Sequence, residues 1–301
     1  MTRERRFRWE TRAVRWIGAL VRPLPRRLML VIGAALGRLL GDLDRRHIEI
    51  ARDNLRRAFP EWDEARVRRT ARGVYGHFGR VLLDIVWLSG RSREQILSLI
   101  DVENAHQLDA LRENTRGCMI VTAHLGNWEA CGVAHGWLFR PMDVIARPLD
   151  NPALDERLVA FRRRSGNTVV YKQKALAHIL RALRANREVA FLLDQNVQEK
   201  DGIFVDFFGR KAAATTVASA LAVKTGAVVL PTHAILKPDG RYRLTYGAPL
   251  PWTSSGDREA DIAALTQSIA SVIEGWVRET PEQWLWMHRR WKTQPAPPGT
   301  A

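Results

Sequence analysis

The rhythm of hydrophobic and polar positions changes near residue 101. Before it, apolar residues recur at helical spacing. The first 43 residues begin with an Arg-rich stretch carrying Trp9 and Trp16. Pro23 and Pro25 then interrupt any helix, and the apolar run 28–37 follows, ending at Arg38. That run is shorter than the ~20 residues a spanning helix needs. Charged residues follow Arg38 directly, so no signal-peptide cleavage site stands out. The pattern predicts a basic, Trp-bearing membrane-associating segment over 1–43 that lies in the interface, with an N-terminal core helix as the competing reading. The helical region 44–100 follows. Ile48, Ile50, Leu55 and Phe59 predict a helix over 44–59 that stops at Pro60. A second is predicted over 63–88, with Arg66, Arg68, Arg69 and Arg72 on a solvated face, and a short one over 92–100.

After residue 101, short apolar runs alternate with longer helical stretches. Strands are predicted at Val102, 118–121, 142–146, 168–171, 189–193 and 227–236. A final strand, 241–246, is expected to pair back after the turn Pro238-Asp239-Gly240. Helices are predicted over 106–112, 128–138, 153–163, 175–185, 212–225 and 262–280, with a short Trp-rich helix over 282–290. A Pro-rich tail covers 293–301. The alternation predicts an α/β fold, a mixed central sheet flanked by helices, spanning 101–292.

Composition adds a partner class. Forty-seven Lys and Arg against 32 Asp and Glu give a net charge of +15, which calls for acidic partners: nucleic acid, anionic lipid or an acidic carrier protein. Eleven Trp lean toward a lipid interface. Two cysteines, Cys118 and Cys131, both in apolar segments, build no disulfide framework. Phosphate loops of the GxxxxGKS/T kind, dinucleotide fingerprints, HExxH and GxSxG are absent, and the eight His are scattered. No metal site or serine-hydrolase elbow is therefore expected.

Candidate chemistry centres on Val121-Thr122-Ala123-His124-Leu125-Gly126-Asn127-Trp128-Glu129. His124 falls where a strand gives way to a helix, the usual ligand-binding end of an open α/β sheet. Asn127 is a natural N-cap, which puts Glu129 in the first helical turn. Five residues separate His124 from Glu129, so the two meet only if His124 lies in the turn and Glu129 points back. A carboxylate so placed would fix the imidazole tautomer and leave the other nitrogen to take a hydroxyl proton. A packed or capping histidine is the plainer reading. Arg147 and Asp194 also follow predicted strands, and Arg162-Arg163-Arg164 precedes another. An Arg in such a place can bind phosphate or polarise a carbonyl; a solvated helix end is the plainer reading of the triplet.

His-Leu-Gly-Asn-Trp-Glu at 124–129 resembles the HxxxxD/E motif of glycerolipid-type acyltransferases. Other stretches carry the likeness further, toward the late acyltransferases of lipid A biosynthesis in Gram-negative bacteria. These are Arg52-Asp53-Asn54-Leu55 with Ala58-Phe59-Pro60, Arg147-Pro148-Leu149-Asp150-Asn151-Pro152, Asp194-Gln195, Phe208-Gly209 with 213–216, and the run from Pro281-Glu282-Gln283 to His288-Arg289-Arg290-Trp291-Lys292. The resemblance implies an enzyme on the cytoplasmic face of the inner membrane. It would move a fatty acyl chain from acyl carrier protein to a hydroxyl of a phosphorylated lipid A precursor, with no cofactor and no metal. It implies a catalytic dyad of His124 and Glu129, and a substrate-binding set drawn from Arg147, Arg162 or Arg164, Asp194 and Gln195. The expected partners are acidic acyl carrier protein, anionic lipids and the glycolipid acceptor. Two alternatives remain: acylation of a different lipid or glycolipid, and a non-enzymatic basic protein binding nucleic acid or membrane surfaces. The latter has no helix-turn-helix, zinc-finger or RNA-binding signature behind it, and no nucleic-acid partner is expected.

Overall fold

The computed structural model describes residues 2–109, 111, 116–172 and 175–296. The chain begins with helices. α1 (Arg3–Val21) is capped by Thr2, and α2 (Arg26–Leu43) starts immediately after Pro25, as the two prolines dictate. Asp44 and Asp63 then cap α3 (Arg45–Ala58) and α4 (Glu64–Leu88), each accepting from a backbone N–H in the first turn. A Ser92/Gln95 capping box opens α5 (Arg93–Leu97), which ends sooner than its pattern suggested because Ile100 already belongs to a strand.

α2 lies against α4 at backbone contact. A Cβ on Gly37 would come within 2.1 Å of the Tyr75 carbonyl oxygen, and one on Gly79 within 2.1 Å of that of Gly33. Small residues at spacings of three and four allow such an approach, a device frequent in membrane helix pairs. α2 has a largely apolar, uncovered outer face, with Leu43 71% exposed, and α1 carries Trp9, Trp16 and Leu20 uncovered among its exposed arginines, Trp16 at 72%. No helix among the described residues is long and apolar enough to cross a membrane.

Among the described residues a seven-stranded mixed sheet runs in the order β1 (Ile100–Glu103), β9 (Tyr242–Tyr246), β8 (Val228–Leu236), β2 (Cys118–Thr122), β5 (Glu188–Leu192), β3 (Met142–Ala146), β4 (Thr168–Tyr171). Every pairing is parallel except β8 with β9, where the Pro238-Asp239-Gly240 turn reverses the chain. Side chains alternate across the central strand. Met119 and Val121 join a core with α8 (Ala175–Arg184), α9 (Val217–Thr225) and α10 (Arg258–Glu279). Cys118 and Ile120 join a second core with α6 (Trp128–Leu138) and Phe161 of α7 (Pro152–Arg163). A sheet covered on both faces explains why its strands read as continuous apolar runs.

Three expected elements differ. The small-residue stretch 212–225 is helical only from Val217. Its first part is β7 (Arg210–Thr215), antiparallel to β6 (Gly202–Phe207) across a Phe208-Gly209 turn in which both residues have positive φ. Two consecutive left-handed residues make the tight hairpin whose twist matches its strands. The Trp-rich 282–290 stretch is not a helix beyond the short 3-10 turn Pro281–Gln283. Asn54 holds it open instead, donating to the carbonyls of Trp286 (2.8 Å) and His288 (2.7 Å). The helix expected over 106–112 lies partly outside the described residues; Ala105–Leu108 forms a 3-10 turn. Of the Pro-rich tail, 297–301 also lie outside.

Candidate active site

β2 and β5 are neighbours, and their register pairs Thr122 with Leu192. Two residues beyond that pair, at the carboxyl ends of both strands, stand His124 and Asp194. Asp194 Oδ1 lies 2.8 Å from His124 Nδ1, and Oδ2 accepts from the His124 backbone N–H at 2.9 Å and from Trp284 Nε1 at 2.7 Å. The aspartate is thus held from three sides and holds the ring in turn. Burial of the ring would lower its pKa, but the charge and hydrogen bond of Asp194, helped by the charge of Glu129, outweigh that and raise it. The Asp194 carboxyl is correspondingly low despite its burial, because it faces the imidazole and accepts these donors. Among the described residues nothing holds Nε2, the nitrogen left for chemistry.

The turn from 123 to 127 is tightly specified. Gly126 has φ +60, and a Cβ there would fall 1.7 Å from the Ala234 carbonyl oxygen, so only glycine fits. Its N–H donates to the Gln283 carbonyl at 3.0 Å. Asn127 caps α6, its Oδ1 accepting from the Ala130 N–H at 3.0 Å, as its position suggested.

Glu129 does not hold the imidazole. At the second position of α6 its carboxylate turns toward α7 and is gripped by Arg162, Nε to Oε2 at 2.8 Å and Nη2 to Oε1 at 2.5 Å. Trp128 Nε1 donates to it as well, at 3.1 Å, while the Trp128 ring meets the His124 ring edge-on at 4.9 Å. Burial of the Arg162 guanidinium is outweighed by this carboxylate, and its pKa is raised. The expected contact of carboxylate with imidazole is therefore made by Asp194 and not by Glu129. Helix geometry is the reason, since at the second position of α6 the Glu129 side chain is directed toward Arg162 of α7 and away from the His124 ring.

His124, Glu129 and Arg162 line a cavity of about 1530 Å³ that reaches between the sheet and the helices α6 and α7. Its inner wall is apolar, with Ile120, Val133, Val144 and Phe161, and α1 contributes Arg15 and Gly18. The volume exceeds the usual ~300–1,000 Å³ of small-molecule pockets. Arg147 and Gln195 are exposed and also line it, and exposed Arg15, Arg157 and Lys172 add positive charge. Arg164 lines it too, but donates to the carbonyls of Leu88 (3.2 Å) and Arg91 (2.5 Å), so of the two arginines it is Arg162 that meets Glu129. Trp284 and Trp128 escaped the reading of the sequence as site residues. Their signal was the high Trp count, which pointed to lipid and not to carboxylate-binding indoles.

An imidazole so held, on the wall of a large and mainly apolar cavity, is placed to take a proton from a hydroxyl. Residues 1–293 match the family of bacterial lipid A biosynthesis acyltransferases, and the chain belongs to that family and is an acyltransferase. It is 28% identical over 289 residues to the lipid A biosynthesis lauroyltransferase of Escherichia coli (strain K12), covering 93% of this chain and 92% of the relative. It is 29% identical over 276 residues to that organism's lipid A biosynthesis palmitoleoyltransferase, covering 90% and 87%. It is also 29% identical over 209 residues to the phosphatidylinositol mannoside acyltransferase of Mycolicibacterium smegmatis, covering 67% of this chain and 64% of that protein.

Proposed function

We propose that the protein transfers a fatty acyl chain from acyl carrier protein to a hydroxyl of a lipid A precursor, with His124 as general base. The observation carrying this reading is the imidazole fixed through Nδ1 by Asp194, with its other nitrogen unheld beside the cavity. An alcohol needs a base at its oxygen; a thioester is already activated. Nε2 takes the hydroxyl proton as the oxygen attacks the thioester carbonyl carbon. The tetrahedral adduct collapses, the C–S bond breaks, and the imidazolium returns the proton to the departing thiolate. Asp194 stabilises the imidazolium. The Arg162–Glu129 pair braces the site opposite and sets the field around the developing oxyanion, for which backbone N–H groups at the start of α6 are the natural donors. Attack is direct, in a ternary complex, since among the described residues no Ser or Cys nucleophile stands beside His124.

The cations around the cavity, Arg15, Arg147, Arg157 and Lys172, suit a phosphorylated headgroup. The exposed apolar face of α2 and the tryptophans of the Arg-rich α1 suit attachment to the anionic cytoplasmic leaflet of the inner membrane. The net charge also suits acidic acyl carrier protein. The purified protein, given acyl carrier protein thioester and precursor, should yield the acylated glycolipid, and a folded His124→Ala variant should not. A second reading, another glycolipid as acceptor, is favoured by the similarity to a phosphatidylinositol mannoside acyltransferase. Mass spectrometry of lipid A from a strain lacking the gene separates them: a missing acyl chain supports the first, unchanged lipid A the second.

A further inference from the structure

α4 presents two buried polar side chains, His77 and Asp84, seven residues apart and so two turns of helix apart on one face. Neither belongs to the site as described, yet both act on the turn that carries His124. His77 Nε2 lies 3.2 Å from the Gly126 carbonyl oxygen, and burial lowers the pKa of its ring to about 4, so it stands as a neutral donor. Asp84 Oδ2 accepts from the Tyr242 hydroxyl at 2.5 Å. That hydroxyl accepts from Asn127 Nδ2 at 3.0 Å, and Asn127 caps the helix bearing Glu129. On its other side Asp84 Oδ2 accepts from Arg26 Nη2 at 2.9 Å, and Arg26, whose Nη1 donates to the Gly240 carbonyl, opens α2.

A chain of hydrogen bonds therefore runs from the first turn of α2, through a wholly buried carboxylate and a wholly buried tyrosine, to the N-cap of α6, next to the turn that carries His124. A carboxylate with a guanidinium and a phenol on one oxygen, and among the described residues no partner on the other, is costly to bury. Apolar residues would fill the same space at less cost, so the network has a use beyond filling. We propose that Arg26, Asp84 and Tyr242, with His77 alongside, are positioning residues: they fix residues 126–130, and through them the approach of His124 to the acceptor hydroxyl, to the seat of α2 on the body of the enzyme. The proposal rests on the acyl-transfer reading, since the turn it fixes matters through that chemistry.

The test is Tyr242→Phe, which keeps the ring and removes one oxygen, alongside Arg26→Lys and Arg26→Met. Activity is measured with acyl carrier protein thioester and lipid A precursor in detergent micelles, and amide hydrogen exchange is followed on the same full-length proteins. Tyr242→Phe should lower kcat about 10-fold or more with KM changed less than twofold, and should speed exchange at residues 126–131 while the amides of β2 and β5 keep their protection. Arg26→Lys should recover most of the rate that Arg26→Met loses. Tyr242→Phe with unchanged kcat and unchanged local exchange overturns the proposal, as does faster exchange spread over the whole sheet, the mark of a merely structural tyrosine. Wild-type protein that transfers no acyl group defeats the acyl-transfer reading instead; the exchange pattern still shows whether the network holds the turn.

Discussion

Arg162 and Glu129 form a two-point ion pair across the cavity wall, at 2.5 and 2.8 Å, between a carboxylate in the first turn of one helix and a guanidinium in the last turn of the next. Removing one partner strands the other. Arg162→Met should cost about 3–5 kcal/mol, the usual penalty for an uncompensated buried charge. Arg162→Met with Glu129→Gln should recover much of that stability and little of the activity. Denaturant unfolding of the two variants beside Glu129→Gln alone measures the coupling; fully additive losses would show the pair to be idle.

Asp194 has its own consequence. Asp194→Asn keeps the shape but no longer fixes the tautomer or stabilises the imidazolium, and in comparable His–Asp pairs such a change costs on the order of 10⁴ in kcat. A similar loss is expected here, with the fold retained. Glu129→Gln should leave the tautomer untouched, because its carboxylate makes no contact with Nδ1. A tautomer shift in histidine NMR spectra of Glu129→Gln would contradict this assignment.

The pH profile follows from the same contact. As the proposed base His124 must be neutral, so kcat/KM should rise with pH, and its midpoint should lie above the ordinary ~6.5 because Asp194 raises the ring's pKa. Asp194→Asn should move that midpoint down. Stability runs the other way for the ring. A raised folded pKa adds stability that is complete below ~6.5 and lost as pH climbs through the folded value. The depressed Asp194 carboxyl adds stability present above ~3.9 and lost as pH falls through its folded pKa. Thermal melts of wild type and Asp194→Asn should converge as pH falls through the folded Asp194 pKa, and the gap should narrow without closing as pH climbs through that of His124, because the backbone and Trp284 donors stay on the carboxylate.

Two glycines should resist even alanine. Gly126→Ala sets a Cβ against the Ala234 carbonyl in a left-handed backbone and should abolish folding or activity. Gly37→Ala forces α2 from α4, and overpacking of this kind costs about 1–3 kcal/mol or more. Unchanged melting of Gly37→Ala would mean that the helices sit further apart than described.

Attachment to lipid should depend on the uncovered apolar face. Trp16→Glu with Leu43→Glu should cut sedimentation with anionic vesicles about 10-fold or more, while activity on acceptor in detergent changes little. Retained binding by the double variant would place the contact elsewhere.

Much of this was legible from local signals. Asn127, Asp44 and Asp63 announce helix starts, paired prolines announce a break, and the apolar runs before His124 and Asp194 announce strands. What the chain did not disclose was strand order. His124 and Asp194 are 70 residues apart, and only the insertion of β2 beside β5 makes them partners. Spacing within one motif drew attention to Glu129, whereas the contact is set by register between two strands. Alanines that favour helix in isolation were recruited into β7 by a hairpin turn and a buried face, where tertiary packing overrides propensity. The tryptophans after Pro281 left helical form because Asn54 and the Leu125 bridge claimed their backbone.

Arg15 and Gly18 of α1 form part of the cavity lining. A protein whose outermost helix doubles as the side of its reaction chamber is not one to be tamed by trimming. Shortening it for ease of handling would open one side of the cavity and, on the proposed reading, expose the acyl chain to water.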